Sequence, residues 1–82
     1  MVRSLSAIAW EINRLWVKEP SQGNYQKDAR PYLNVMFALG SIKNNFGLDS
    51  GRDIVQRFLC NVGGWRGDDA RRIKHELREL LK

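Results

Sequence analysis

The sequence has very few of the residues on which enzymes and metal sites most often depend. Cys60 is the only cysteine and His75 the only histidine among the 82 residues. A single cysteine excludes an internal disulfide framework and is typical of a reducing compartment. One cysteine and one histidine cannot form a structural zinc site, which takes four such ligands.

Nucleophilic catalysis requires a nucleophile and a base within hydrogen-bond reach of each other. Here Cys60 and His75 would have to serve, yet helical spacing places them on the solvent sides of two different helices, with His75 beside Glu79. The glycines at 63, 64 and 67 match neither the Walker pattern nor the dinucleotide fingerprint. We therefore predict that the protein is not an enzyme, with no catalytic residue, no metal and no cofactor.

Long apolar runs are also missing. The longest, Val35 to Leu39, is far too short to span a bilayer. Glu11, Asn13 and Arg14 interrupt any apolar core of a signal peptide near the start. Together with the low cysteine content, this predicts a cytoplasmic protein with no membrane partner.

What the sequence does contain favours one small helical domain over residues 1–82. The apolar fraction of 43% is sufficient for a core and argues against intrinsic disorder. At this length folding buries only about 60–65% of the surface that the unfolded chain exposes. Self-association, and hence a homo-oligomer, is compatible with this size.

Four amphipathic segments predict four helices, the first from about Ser4 to Lys18, with Ser4 as its N-cap. The residues from Glu19 to Ala29 have the composition of a loop, to be held to the core by Tyr25. Apolar residues spaced three to four apart form the core face of the first helix: Leu5, Ile8, Ala9, Ile12, Leu15 and Trp16.

The second helix is expected to begin near Pro31, a residue suited to a first turn, and to continue to Phe46. Leu33 and Phe37 lie almost opposite its main apolar stripe, so this helix should be the centre of the fold. Gly40 would then mark a close helix contact or a kink. The main stripe consists of Tyr32, Val35, Leu39, Ile42 and Phe46.

Ser50 and Asp53 resemble a capping box and predict the start of a third helix after a stop at Gly47. Asp68 and Asp69 predict the start of a fourth helix, where carboxylates complement the helix dipole. No segment alternates like a strand. The fold class is therefore all-α, with four short helices in a compact bundle or an orthogonal array.

Two tryptophans are not accounted for by the helical stripes. Trp10 lies beside Arg14, and Trp65 precedes Arg66. Tryptophan next to arginine is the composition of protein-interaction hot spots, so these four residues are our protein-binding candidates, and Phe37 is a weaker one. The alternative is that Trp65 folds back as a lid over the core and that Trp10 packs under the loop around Tyr25.

The net charge of +5 favours acidic partners, nucleic acid among them, although the excess is spread along the chain. The fourth helix has a basic stripe that is our nucleic-acid-binding candidate: Arg71, Lys74, Arg78 and Lys82. Because Asp68 and Asp69 open this helix, base readout of the helix-turn-helix kind is disfavoured, and contacts to phosphates remain. The alternative is that the stripe is an ordinary solvated helix face.

The sequence also resembles a group of short, uncharacterised proteins from bacteriophages, prophages and other mobile elements. The likeness is carried by Gly47-Leu48-Asp49-Ser50-Gly51, Ile54-Val55, Phe58-Leu59, Trp65-Arg66-Gly67, Ala70, Ile73-Lys74 and Glu76-Leu77, and by Leu5-Ser6-x-Ile8-Ala9 and Pro31-Tyr32-Leu33. The resemblance implies an accessory protein in the cytoplasm of a bacterial host, with an unidentified bacterial or phage protein as its partner. It implies no activity and no functional residue.

Overall fold

The computed structural model describes residues 3–18 and 24–82. These residues form four helices and one two-stranded ribbon: α1 (Leu5–Lys18), α2 (Tyr25–Phe37), β1 (Asn45–Phe46), β2 (Asp49–Ser50), α3 (Gly51–Cys60) and α4 (Asp68–Leu80). The predicted all-α class with four short helices is confirmed, and the two-residue strands are a small addition that the sequence did not signal. No helix in the described part of the chain is long and apolar enough to cross a membrane.

One hydrophobic cluster joins all four helices. Phe58 of α3 is its largest completely buried side chain, and the ring of Trp16 from α1 stacks on it with centroids 6.0 Å apart. The predicted core face of α1 is confirmed, with Leu15 only partly buried. In α4 the buried residues are Ala70, Ile73 and Leu77. The cluster fixes which helix faces remain outside and available to partners.

Two serines begin helices as predicted. The Ser4 hydroxyl accepts a hydrogen bond from the backbone N–H of Ala7 at 3.1 Å, and the Ser50 hydroxyl accepts one from Asp53 at 3.1 Å. Each bond satisfies one of the N–H groups that a first helical turn leaves without an intrahelical acceptor. The first turn of α1 has two further acceptors, because Ser6 and Leu5 donate to the carbonyls of Leu39 and Gly40.

The predicted start of the second helix is wrong. α2 begins at Tyr25, so Tyr25 to Ala29 are helical and Pro31 lies inside the helix rather than in its first turn. Pro31 has no N–H group, so the helix loses one backbone hydrogen bond and some stability there. Asp28, in the first turn, stabilises the helix by complementing its dipole. Of the rest of the predicted loop, Asn24 is the N-cap of α2, and 19–23 lie outside the described residues.

The predicted end of that helix is also wrong, because α2 stops at Phe37. Beyond it the Asn44 side chain accepts a hydrogen bond from the Ser41 N–H at 2.8 Å, and the Ser41 hydroxyl accepts one from the Lys43 N–H at 3.0 Å. Such side-chain bonds to nearby backbone offer the chain an alternative to the helix. Gly40 therefore lies in a turn, and Phe46 is half exposed on β1.

The segment after α2 forms a short hairpin that leads directly into α3. Phe46 pairs with Asp49, and Gly47 begins the two-residue turn with φ of +63°, the region that glycine adopts without strain. Gly51, the first residue of α3, is buried so closely against Ile42 that a Cβ atom there would lie 2.8 Å from the Ile42 carbonyl oxygen. The expected helix stop at Gly47 is thus a hairpin turn.

Candidate functional site

The outer side of α1 carries two exposed apolar side chains one above the other. Trp10 is 64% exposed and Val17 is 70% exposed. Because they are seven positions apart, with Arg14 between them and Lys18 at the end, all four share one side of the helix. We call these four residues the α1 outer face. An open groove of about 620 Å³ runs along it.

Although Trp10 is exposed, one side of its ring packs against another aromatic residue. Its ring lies 4.9 Å from that of Phe37 on α2, tilted by 55°. Aromatic pairs at this separation attract each other beyond their simple burial, by about 0.5–1.5 kcal/mol. The structure therefore places Trp10 against Phe37. The alternative, that Trp10 packs under the loop around Tyr25, involves residues 19–23, which lie outside the described residues, and Tyr25 itself contacts Trp16 and Trp65.

The charge of this face is positive. Within the described part of the chain, Arg14 and Lys18 have neither an ion pair nor a hydrogen bond from their side chains. Glu11 also borders the groove, but its carboxylate is held by Arg3 and Arg72, each with a closest nitrogen–oxygen distance of 2.7 Å. Two cations that have no ion pair among the described residues, Arg14 and Lys18, therefore lie beside Trp10 on the α1 outer face.

Trp65 does not belong to any exposed surface. Only 6% of it is exposed, and its ring meets Trp16 edge-on at 5.5 Å and stacks on Tyr25 at 6.5 Å. Its assignment as an exposed protein-binding residue is therefore wrong, and the alternative, a lid over the core, is confirmed. Tyr25 also contacts Trp16, at 5.7 Å, so the three rings touch one another and the predicted contact of Tyr25 with the core is confirmed.

Arg66 turns outward where Trp65 turns inward, and it lies with the basic side of α4. Together with Arg71, Lys74 and Arg78 it borders a depression of about 300 Å³ at the turn between α3 and α4. We call this site the basic depression. The structure thus separates the four protein-binding candidates, because Trp10 and Arg14 lie on α1 whereas Arg66 joins three of the nucleic-acid-binding candidates.

Lys74 is the most constrained cation of the basic depression. Its ammonium group donates a hydrogen bond to the carbonyl oxygen of Trp65 at 2.6 Å, in a half-buried position. Burial lowers the pKa of Lys74, and the positive charges of Arg78 and Arg66 lower it further. Lys74 therefore lies close enough to both arginines for their charges to disfavour its protonated form.

The other predicted members of the basic stripe are more exposed. Arg71 lies 3.8 Å from Asp68, with both side chains almost wholly in solvent. Lys82 pairs with Glu79 at 3.1 Å and does not border the basic depression. The stripe therefore continues to the end of α4, but its depression is formed by the first three stripe residues and Arg66.

A charge network joins α1 to α4, and sequence spacing did not predict it. Arg3 donates two hydrogen bonds to Glu76, at 2.9 and 2.6 Å, and Arg72 donates to Glu11 at 2.7 Å. Arg72 and Glu76 are four residues apart, a spacing that favours a pair within α4, but Arg72 bonds Glu11 and Asp69 instead and Glu76 accepts from Arg3. A bond from Arg72 lowers the pKa of Glu11, and a bond from Arg3 lowers that of Glu76.

The groups tested for catalysis lie as the helical pattern predicted. Cys60 is exposed, and His75 lies 3.6 Å from Glu79 on the solvent side of α4. Among residues 3–18 and 24–82, no three acidic, cysteine or histidine side chains come together in a way that would hold a metal ion.

Comparisons of the chain with protein-family models, with curated proteins and with solved structures found no match. The resemblance to short phage and mobile-element proteins therefore stays a prediction. The α1 outer face and the basic depression rest on the geometry and charge of this chain.

Proposed function

We propose that the protein is a non-enzymatic binding protein that holds an acidic segment of a partner protein on the α1 outer face. The observation that carries this proposal is Trp10, which is 64% exposed and whose ring packs against that of Phe37, with the centroids 4.9 Å apart. In keeping with the sequence resemblance, we propose a phage or mobile-element origin and a bacterial cytoplasmic setting.

An exposed tryptophan whose ring already packs against a neighbouring aromatic ring is well suited to binding a partner. Covering its ring removes a large apolar area from water, and a side chain that is already ordered loses little conformational entropy on association. Tryptophan is accordingly enriched among the residues that contribute most to protein–protein affinity. Val17, 70% exposed on the same side, extends the apolar contact by two helical turns.

The charge of the face indicates the chemistry of the partner. Arg14 and Lys18 have no ion-pair partner among the described residues and flank the apolar pair Trp10 and Val17. Complementary charges speed the encounter of two proteins and disfavour partners of the wrong sign. An amphipathic segment with one apolar edge and aspartate or glutamate beside it fits this arrangement.

The proposal is tested by selecting peptides from a random display library on the folded protein and comparing their net charge with that of the unselected library. We expect acidic peptides with at least one large apolar residue. Their affinity should fall about tenfold or more in Trp10→Ala and several-fold in Arg14→Gln. Circular dichroism establishes that both variants are folded.

The matched control is Leu48→Ser, which removes an exposed apolar side chain that lies away from the α1 outer face, at the hairpin turn. It should leave peptide binding unchanged. Selection of neutral or basic peptides, or equal loss of binding in Leu48→Ser and Trp10→Ala, contradicts the proposed site.

A further inference from the structure

The basic depression is a second surface, separate from the α1 outer face, with which it shares no lining residue. Arg66 reaches it from the turn before α4, and Arg71, Lys74 and Arg78 reach it from successive turns of α4. Gly63, Gly67 and Trp65 complete the lining, so no carboxylate borders it. Four cations therefore converge on one concave surface.

Little in the described part of the chain neutralises these charges. Arg66 and Arg78 have no ion pair there, and the one partner of Arg71 is the fully exposed Asp68 at 3.8 Å. Exposed pairs of that kind contribute little to stability. Lys74 is held among the arginines by its bond to the Trp65 carbonyl. Because like charges repel, such a cluster is stabilised by an anion that enters it.

We infer that the basic depression binds the phosphate backbone of a nucleic acid and does so independently of base sequence. This inference does not depend on the proposed protein-binding function. Arg71 and Arg78 are separated by seven residues of helix, about 10 Å along its axis, and Arg66 lies at the turn before it. A run of several phosphates matches this length, whereas a single phosphate reaches only part of it.

The surroundings of the depression favour contacts to the backbone over contacts to bases. Trp65, the one aromatic residue in the lining, is only 6% exposed and offers no ring face for base stacking. The first turn of α4 carries Asp68 and Asp69, which would repel phosphates if that end entered a groove. The cations lie along the side of α4 instead, where they position a backbone without reading it.

The test is fluorescence anisotropy with a labelled DNA of arbitrary sequence, as a duplex and as a single strand, at two salt concentrations. Arg66→Gln/Arg78→Gln is compared with Lys27→Gln/Lys43→Gln, which loses the same charge from two exposed lysines outside the depression. We expect about a tenfold or greater loss of affinity in the first variant and little in the second. On duplex DNA, the slope of log affinity against log salt should fall by roughly 2 in the first variant.

Gly63 offers a test that removes no cation. A Cβ atom at Gly63 meets nothing within 4 Å, and its φ is not positive, so a side chain fits without strain. Gly63→Glu should weaken DNA binding several-fold by placing a carboxylate in the depression, and Gly63→Gln should bind as the wild type does. A similar effect of both substitutions would argue against the electrostatic basis of the site.

Other outcomes overturn the inference directly. These are absence of binding to both DNA forms at low salt, equal weakening in the two double variants, and binding to vesicles of anionic phospholipid without binding to DNA. Strong preference for one base sequence would overturn its sequence-independent character.

Discussion

Arg72 of α4 donates a hydrogen bond to the Glu11 carboxylate of α1 across 2.7 Å, and Arg3 reaches the other oxygen of the same carboxylate from 2.7 Å. Glu11 is thus held between two arginines that come from opposite ends of the described chain. Arg3 also binds Glu76, so the start of the chain, the middle of α1 and the middle of α4 are tied together.

Glu11→Gln should reduce the free energy of unfolding at pH 7 by about 1–2 kcal/mol, because it removes one charge-assisted contact to each of two arginines. The measurement is chemical denaturation. Glu79→Gln is the matched control, since Glu79 is more exposed and, among the described residues, pairs with His75 of α4 and with Lys82 just beyond the end of that helix. It should change stability by less than about 0.5 kcal/mol.

The same network predicts the response to acid. The pKa values of Glu11 and Glu76 are lowered in the folded protein below their ordinary value of 4.5. A lowered carboxyl pKa contributes stability that is complete above the unfolded pKa and is lost as the pH falls through the folded pKa. Unfolding curves should therefore show stability falling below about pH 4.5, and Glu11→Gln/Glu76→Gln should flatten that fall. Identical acid profiles for this variant and the wild type would exclude the network as the cause.

Gly51→Ala should destabilise the protein by about 1–3 kcal/mol, because the added Cβ would lie 2.8 Å from the rigid backbone oxygen of Ile42. Gly63→Ala is the control, since its Cβ meets nothing within 4 Å. Thermal unfolding should show a lower midpoint for Gly51→Ala and an unchanged or slightly higher one for Gly63→Ala. Equal midpoints would contradict the close approach at the start of α3.

Trp65→Ala should reduce the free energy of unfolding much more than Trp10→Ala does. Loss of the buried Trp65 ring removes its packing on Trp16 and Tyr25 and should cost about 3–5 kcal/mol. Loss of the exposed Trp10 ring removes mainly its contact with Phe37 and should cost about 1 kcal/mol. Denaturation of the two variants under one set of conditions is the measurement, and similar losses would show that Trp65 is not a lid.

Periodicity predicted three of the helices because burial and spacing agree in them. Leu5, Ile8 and Ile12 lie on one side of α1 and are wholly buried, and Ser4 and Ser50 cap their helices as expected. In such segments local preference and tertiary packing favour the same structure. Helices of this kind can be predicted from the sequence alone.

The predicted bounds of the second helix were wrong for two local reasons. A proline at position 31 suggested a helix start, but packing against α1 and α3 holds it inside α2. The apolar residues Leu39, Ile42 and Phe46 continued the helical spacing by coincidence, whereas Ser41 and Asn44 turn the backbone with their side chains. The polar pair was visible in the sequence and was the better signal.

The candidate surfaces could not be predicted in full, because they depend on distances between residues of different segments, which the spacing within one helix does not give. Nothing in the sequence distinguished Trp10 from Trp65 as exposed residues. Only the fold shows that Trp65 packs inward against Trp16. Arg66 joined the α4 cations because the turn before that helix folds back beside them. A stripe on one helix is readable from sequence, but a residue added to it from a loop is not.

The amide groups of Leu5 and Ser6 find their acceptors in the carbonyls of Gly40 and Leu39. During synthesis these two bonds can form only after residue 40 has been added. A fragment that ends at Phe37 would contain every residue of the first two helices and would still lack both of these acceptors for the first turn of α1.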